Sequence, residues 1–281
     1  MRLIGFLVAA FGLLISPSAH AQQVCGVGEM TCRTPLGEYA IKLPALKSGE
    51  KIPALLWFHG AGGSGPGAMK NTGMVDAFIE RGYAVIAPSG LKRPNRRFGP
   101  GWSFLPSRPK QRDELAFAKE VIADAAARHQ IDPQRVLMSG FSIGGSLVWY
   151  LACQDPTTAR AYAPVAGAFW RPHPTAEDCK APIKLLHTHG WRDGTVPLEG
   201  RPLRGGQIYQ GDVFQGLQIM RELNGCDQLR ADGFDTEGDF WRRKWTKCSQ
   251  GSALEFALHT GGHIVPKGWS EMAINWFENL N

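Results

Sequence analysis

The chain contains no apolar run of the roughly 20 residues needed to span a bilayer, no Ser/Thr/Pro-rich linker, no internal repeat and no second compositional block. These absences argue against a helical membrane protein and a solenoid, and they predict that no appended module for gripping a solid polymer is present. No Cys-x-x-Cys pair occurs, so the commonest structural zinc spacing is missing. Gly-x-x-x-x-Gly-Lys-Ser/Thr is missing too, which removes the P-loop reading of the glycine-rich segments. Neither sign of charge dominates: 31 Lys and Arg against 25 Asp and Glu leave a formal charge of +6. The basic residues are scattered, which fits a solvated surface better than a nucleic-acid groove.

What is there is an ordinary globular composition, 43% hydrophobic with 34 glycines and 19 prolines among 281 residues. The first residues stand apart. Arg2 precedes the apolar run Ile4 to Ile15, and Ala19-His20-Ala21 supplies the small-x-small pattern of a signal-peptidase site. Residues 1–21 therefore read as a cleaved signal peptide and 22–281 as one catalytic domain, exported to the periplasm or the medium and without a stable membrane anchor after cleavage. Loss of the leader, whose one charged residue is Arg2, lowers the formal charge to +5. Export accounts for six cysteines, an even number suited to disulfides. The connectivity is open on sequence grounds, and neighbour order favours Cys25 with Cys32, Cys153 with Cys179 and Cys226 with Cys248.

Short β-rich runs alternate with helical patterns, the mark of an α/β fold with a mostly parallel central sheet and helices on both faces. Strands are expected at Tyr39–Leu43, Ala54–Phe58, Tyr83–Ala87, Arg135–Ser139, Ala161–Val165, Ile183–His187 and Leu254–His259. The clearest helix spans Glu114–His129, capped by Asp113, with an apolar stripe of Leu115, Phe117, Val121, Ile122 and Ala125, and stopped by Asp132-Pro133. Further helices are expected over Gly145–Gln154, Val213–Asn224 and Gly268–Asn279.

Between an expected strand and an expected helix lies Gly140-Phe141-Ser142-Ile143-Gly144. Gly-x-Ser-x-Gly in that context makes a sharp turn that lifts a serine hydroxyl above the sheet as a nucleophile. A serine needs a base, an orienting carboxylate and donors for the developing oxyanion. The loop His59-Gly60-Ala61-Gly62-Gly63 follows a buried strand and offers one donor, the amide near Ala61, with Ile143 supplying the second. His59 reads as a brace for that loop. Downstream, Asp193 lies in a turn beyond the strand ending at His187, and His263 lies on the glycine-flanked loop after the last strand. His263 is preferred to His259 as the base because His259 ends a strand and lacks the reach. His187 and His189 share a strand face but have no third metal ligand, so structural roles are expected, and no metal or organic cofactor is needed.

Asp113-Glu114-Leu115-Ala116-Phe117, Ile131-Asp132-Pro133-Gln134-Arg135-Val136 and Gly140-Phe141-Ser142-Ile143-Gly144-Gly145 occur in that order, followed by His189-Gly190-x-x-Asp193-x-x-Val196-Pro197, Asn224-Gly225-Cys226, Cys248 and Gly261-Gly262-His263. As a set they resemble the polyhydroxybutyrate depolymerase and feruloyl esterase family over nearly all of the mature chain. The resemblance implies an α/β-hydrolase fold, Ser142 as nucleophile, Asp193 as acid, His263 as base, and a Cys226–Cys248 disulfide. Two departures bear on the substrate: the oxyanion loop lacks the cysteine of many polymer depolymerases, and no polymer-binding module follows.

The resulting expectation is a serine esterase acting on soluble esters or hydroxyalkanoate oligomers, with feruloyl or acetyl ester hydrolysis on plant polysaccharide as the alternative. A peptidase or acyltransferase would use the same residues, and a silent binding protein would keep the fold without turnover. Trp102 and Trp191, with Phe104 and Trp170, are candidates to line a substrate pocket. Arginines in the loops 91–102 and 192–204 admit a carboxylate-bearing ester. The cation–aromatic run 241–245 reads as an alternating strand rather than as a nucleic-acid surface.

Overall fold

A computed structural model describes Cys25 and residues 31–45, 49–92, 99–105, 108–236 and 238–280. The expected leader and Arg93, Arg96 and Arg97 lie outside these residues. The strands are β1 (Cys32–Thr34), β2 (Gly37–Lys42), β3 (Ile52–Phe58), β4 (Ala84–Pro88), β5 (Ile131–Phe141), β6 (Ala161–Val165), β7 (Trp170–Arg171), β8 (Lys184–Gly190), β9 (Pro202–Leu203), β10 (Ile208–Gln210), β11 (Gly233–Asp235), β12 (Phe240–Trp245) and β13 (Ala253–His259). The helices are α1 (Gly65–Ala68), α2 (Thr72–Glu80), α3 (Glu114–His129), α4 (Ile143–Gln154), α5 (Val213–Leu223) and α6 (Trp269–Glu278).

Ten strands form one sheet in the order β1-β2-β4-β3-β5-β6-β8-β13-β12-β11. From β4 to β13 every pairing is parallel, and antiparallel strands flank both ends. Strands buried on both faces read as continuous apolar runs, as Ile52–Phe58 does. Along β3, Ala54, Leu56 and Phe58 enter one core with α3, α4 and α5, while Leu55 and Trp57 enter the other with α2 and α6. This is the α/β-hydrolase arrangement expected from the sequence, a mostly parallel sheet covered by helices on both faces.

The helix ends follow local chemistry. Asp113 accepts the amides of Leu115 and Ala116, as a cap should. The C-terminus of α3 differs from expectation: Gln130 adopts a left-handed conformation with φ 56° and ends the helix there. Asp132-Pro133 instead lies within β5, where the β3 pairing shifts register between Ile52 and Ala54, a place that tolerates a proline lacking its N–H. Beside α3, His129 Nε2 lies 3.6 Å from Cys25 Sγ and 3.7 Å from Cys32 Sγ, a buried neighbour for that disulfide.

Disulfides join Cys25–Cys32, Cys153–Cys179 and Cys226–Cys248, the neighbour-order pairing. Cys153–Cys179 ties the end of α4 to the segment before β8 across 26 positions. A cross-link of that span restricts the unfolded chain, so the double variant Cys153→Ala/Cys179→Ala is expected to lose about 3–4 kcal/mol of stability, read as a lower urea midpoint.

Candidate active site

The parallel strands deliver their carboxyl ends to one rim, and the predicted site residues meet there. At the end of β5 the chain turns into α4 through Ser142, whose φ of 59° and ψ of −122° are strained for a residue with a Cβ. Two close approaches hold the turn. A Cβ on Gly144 would lie 2.1 Å from the Phe58 carbonyl oxygen, and one on Gly140 would lie 2.7 Å from the same atom. Only glycine lets α4 descend this far onto β3. Ser142 N donates to Val165 O at 3.0 Å, and Ser142 O receives the Ser146 amide at 2.8 Å.

His263 Nε2 lies 2.9 Å from Ser142 Oγ, and His263 Nδ1 lies 2.7 Å from Asp193 Oδ2. A carboxylate can only accept, so Nδ1 carries the proton and Nε2 presents its lone pair to the hydroxyl. Ser142 and Asp193 are buried, and the Phe141 ring packs 4.7 Å from the imidazole of His263. This is the geometry in which an imidazole can take a serine proton as the oxygen attacks. The rejected alternative, His259, is turned elsewhere: its Nδ1 accepts the Gly261 amide at 3.1 Å.

The Asp193 turn is fixed from several sides. Thr195 and Val196 donate their amides to Asp193 Oδ1 at 2.9 and 2.8 Å. Burial raises the Asp193 pKa, but the His263 hydrogen bond, the Val196 amide and the two neighbouring histidines outweigh it, leaving the carboxyl below its ordinary range. Beneath it are His187 and His189, both fully buried. His189 Nε2 donates to Val196 O at 2.7 Å, so its Nδ1 must accept, and His187 Nε2 donates to it at 3.0 Å. Burial lowers both pKa values, His187 well below the usual histidine range, so the pair stays neutral. The Asp193 and His263 loops are also joined directly: Trp191 N donates to His259 O at 2.8 Å and Arg192 N to Gly261 O at 3.0 Å.

Opposite, His59 braces the loop after β3. Gly90 N donates to its Nε2 at 2.9 Å, which leaves Nδ1–H to donate to Gly60 O at 2.7 Å. Ala61, Ser142 and Ile143 line one cavity. The Ile143 amide is the first of α4, where no intrahelical acceptor exists.

A dienelactone hydrolase family model matches residues 42–203. The chain belongs to the dienelactone hydrolase family. It is 32% identical to NocK of Nocardia uniformis subsp. tsuyamanensis, which carries an esterase name, over 80% of this chain and 68% of that protein. It is 26% identical to feruloyl esterase B of Piromyces equi over 66% of this chain, a match spanning 35% of the fungal protein. An acetyl xylan esterase structure from Aspergillus awamori has the same fold, with TM-score 0.65 at 15% identity over 86% of this chain and 93% of that one. The protein is therefore a carboxylic ester hydrolase of the α/β-hydrolase type.

Beside Ser142 the esterase has a cavity of about 410 Å³, walled by Trp102, Phe104, Leu105, Ile143, Trp170, Val196, Leu203 and Ile208. Trp102 is on the wall of this cavity. It is buried, donates Nε1–H to His59 O at 2.9 Å and packs edge-on against Phe58. Trp191 does not line this cavity: its backbone is committed to the β13 loop and its side chain is 58% exposed. Sequence reasoning missed the hairpin of β9 and β10, which pairs with β7 and carries Arg201, Leu203, Arg204, Ile208 and Gln210 to the cavity wall. Strands this short leave no periodicity to read.

The close contact beneath the turn makes Gly144→Ala disruptive. The variant is expected to lose about 3 kcal/mol in urea unfolding together with most ester turnover, because the obstructing atom is backbone and cannot swing away. The depressed Asp193 pKa stabilises the fold above the ordinary carboxylate pKa, and this contribution is lost as pH falls through the folded-state value. Asp193→Asn should accordingly flatten that part of the stability–pH curve, measured by unfolding between about pH 5 and pH 2.

Proposed function

We propose that the protein is an exported serine esterase in which Ser142 attacks the ester carbonyl and His263 takes and then returns the proton. Asp193 holds His263 in the productive tautomer, and the amides near Ala61 and Ile143 receive the oxyanion. The observation that carries this reading is the continuous row Ser142–His263–Asp193, with separations of 2.9 and 2.7 Å. Three disulfides support an oxidising destination, as does the leader pattern in residues 1–21.

The substrate is a soluble or oligomeric ester of a size to fit a cavity of about 410 Å³. Hydroxyalkanoate oligomers follow from the sequence resemblance to polyhydroxybutyrate depolymerases. A feruloyl or acetyl ester is the second reading, favoured by the feruloyl esterase relatives and by an aromatic wall of Trp102, Phe104 and Trp170 able to face a ring.

Ser142→Ala is expected to reduce turnover of a short p-nitrophenyl ester by about a millionfold, the scale seen when a triad nucleophile is removed. Undiminished turnover would refute the nucleophile assignment. A panel of hydroxybutyrate oligomers, methyl ferulate and acetylated sugars ranks the acyl groups by kcat/KM, and an amide panel tests for peptidase action.

A further inference from the structure

The cation–aromatic run of β12 takes no part in the catalytic row, and the sheet register sorts its side chains by face. Phe240 and Ala257 enter the core shared with α6, whereas Leu254 and Phe256 enter the core shared with α5. Arg243 pairs with Phe256 on one side and with Phe234 on the other, so these three side chains leave the α5 face in one row. Trp241, two residues before Arg243, joins them on the diagonal from Phe234, a separation of about 7–8 Å. Phe214 of α5 completes the platform by meeting Phe256 edge-on, with ring centroids 5.9 Å apart. Trp241, Phe234 and Phe214 are 47%, 53% and 44% exposed, so each ring rests partly on the protein and keeps open area for a ligand.

The two faces of this end of the sheet treat charge differently. On the α6 side, Arg242 is compensated by Glu255 and by Asp235, the latter at 3.5 Å. On the α5 side, the guanidinium groups of Arg230 and Arg243 both lie over the Phe234 ring, 5.9 and 5.8 Å from its centroid. Among the described residues no carboxylate forms an ion pair with either. Asp232, just before β11, has its Oδ1 accepting the amide and the hydroxyl of Thr246 at 2.9 and 3.0 Å. The segment bearing Arg230 is held in place, because Trp245 Nε1 donates to Leu229 O at 3.2 Å and the Cys226–Cys248 disulfide ties the same stretch to the chain after β12.

Aromatic planes flanked by uncompensated guanidinium groups match a ligand that has apolar C–H faces and a carboxylate. Pyranose rings bearing uronate supply both. The number of charges separates this ligand from other polyanions. An anionic bilayer is gripped by clusters of about 4–8 Lys and Arg, and duplex DNA by on the order of 6–10 phosphate contacts. Two guanidinium groups sit on this platform, enough for a carboxylate that recurs along an otherwise neutral sugar chain. The platform also borders the catalytic rim: Trp241 pairs with Leu258, one residue before His259, where β13 ends and the chain enters the His263 loop.

Building on the feruloyl or acetyl ester reading, we propose that Trp241, Phe234 and Phe214 with Arg230 and Arg243 form a second binding site, for the main chain of a uronate-bearing polysaccharide. None of these residues lines the cavity beside Ser142. Affinity electrophoresis through deacetylated glucuronoxylan, and through the same polymer with its uronates reduced to neutral sugars, tests this. Wild type is expected to bind the native polymer about tenfold more tightly than the reduced one, with the difference shrinking as salt is raised. Trp241→Ala/Phe234→Ala should weaken binding to both polymers by about tenfold. Arg230→Gln/Arg243→Gln should remove the difference between them, and both variants should keep wild-type turnover of p-nitrophenyl acetate. Equal retardation of wild type by the two polymers, retardation that neither variant changes, or tighter binding to phosphatidylglycerol vesicles or duplex DNA at equal salt would overturn the proposal. Catalysis is read apart from binding. Turnover without retardation overturns the polysaccharide site alone, whereas retardation of an inactive wild type supports the site and overturns the esterase mechanism.

Discussion

The approach of α4 to the end of β3 is the constraint on which the rest of the site depends. Ser142 occupies a backbone conformation that costs on the order of 1–3 kcal/mol, and it persists because the residues around it leave no alternative. Gly140 and Gly144 leave out the Cβ atoms that would meet the Phe58 carbonyl oxygen at 2.7 and 2.1 Å. The apolar face of α4, with Leu147, Val148 and Leu151, then locks the helix against the sheet. The hydroxyl is thereby aimed by packing, not by its own preference. The same descent places the first amide of α4 beside the loop that His59 braces, so Ser142 and the amides proposed as oxyanion donors are set by one contact.

The carboxylate side is governed by a different balance. Asp193, His187 and His189 lie in a region where an unpaired charge would be expensive. Neutral histidines answer this by passing a fixed donor–acceptor order inward from Val196 O, each ring's tautomer determined by the one before. Val196 is then held at both backbone groups, its carbonyl by His189 and its amide by Asp193. The one charge retained, on Asp193, is met by two amides and by the protonated nitrogen of His263. In the proposed mechanism such a network needs no reorganisation when an imidazolium forms at His263, which is where preorganisation lowers a barrier. The buried Arg112–Glu114 pair plays a comparable part on the opposite wall. Glu114 accepts the Ser103 amide beside Trp102, and Arg112 reaches Ser89 O and Leu36 O, so the ion pair fastens the cavity's aromatic wall to the sheet.

Much of this was legible in the sequence because the relevant signals are local. All seven expected strands are present, Ala161–Val165 to the residue, and α3 matches Glu114–His129. Burial on both faces and a capping aspartate are written in consecutive residues. Ser142, Asp193 and His263 were singled out for a related reason: each sits just past a recognisable strand, and the parallel order of β5, β8 and β13 brings those ends together. What escaped was non-local. Asp132-Pro133 has the look of a helix stop, yet the left-handed Gln130 ends α3 earlier and the proline fits the irregular start of β5. Trp191 is adjacent in sequence to the acid turn, but adjacency does not say which way an indole points, and here it points outward. The β9–β10 hairpin gains its structure from pairing with β7, about thirty residues upstream, which no window of local sequence contains.

That hairpin also separates the cavity wall from the strand ends that set Ser142, Asp193 and His263. The strand ends that place Ser142, Asp193 and His263 are continuous with the buried sheet, so any change there is paid across the whole core. The segment between Val196 and α5 crosses the rim and rests on Trp170 through a two-stranded contact. Leu198 joins the core and Leu203 and Ile208 pack against it, whereas Arg201 and Arg204 are exposed, so their guanidinium groups avoid the cost of full burial. The rim hairpin thus shapes the cavity wall, while Ser142, Asp193 and His263 are set by the strand ends beneath it.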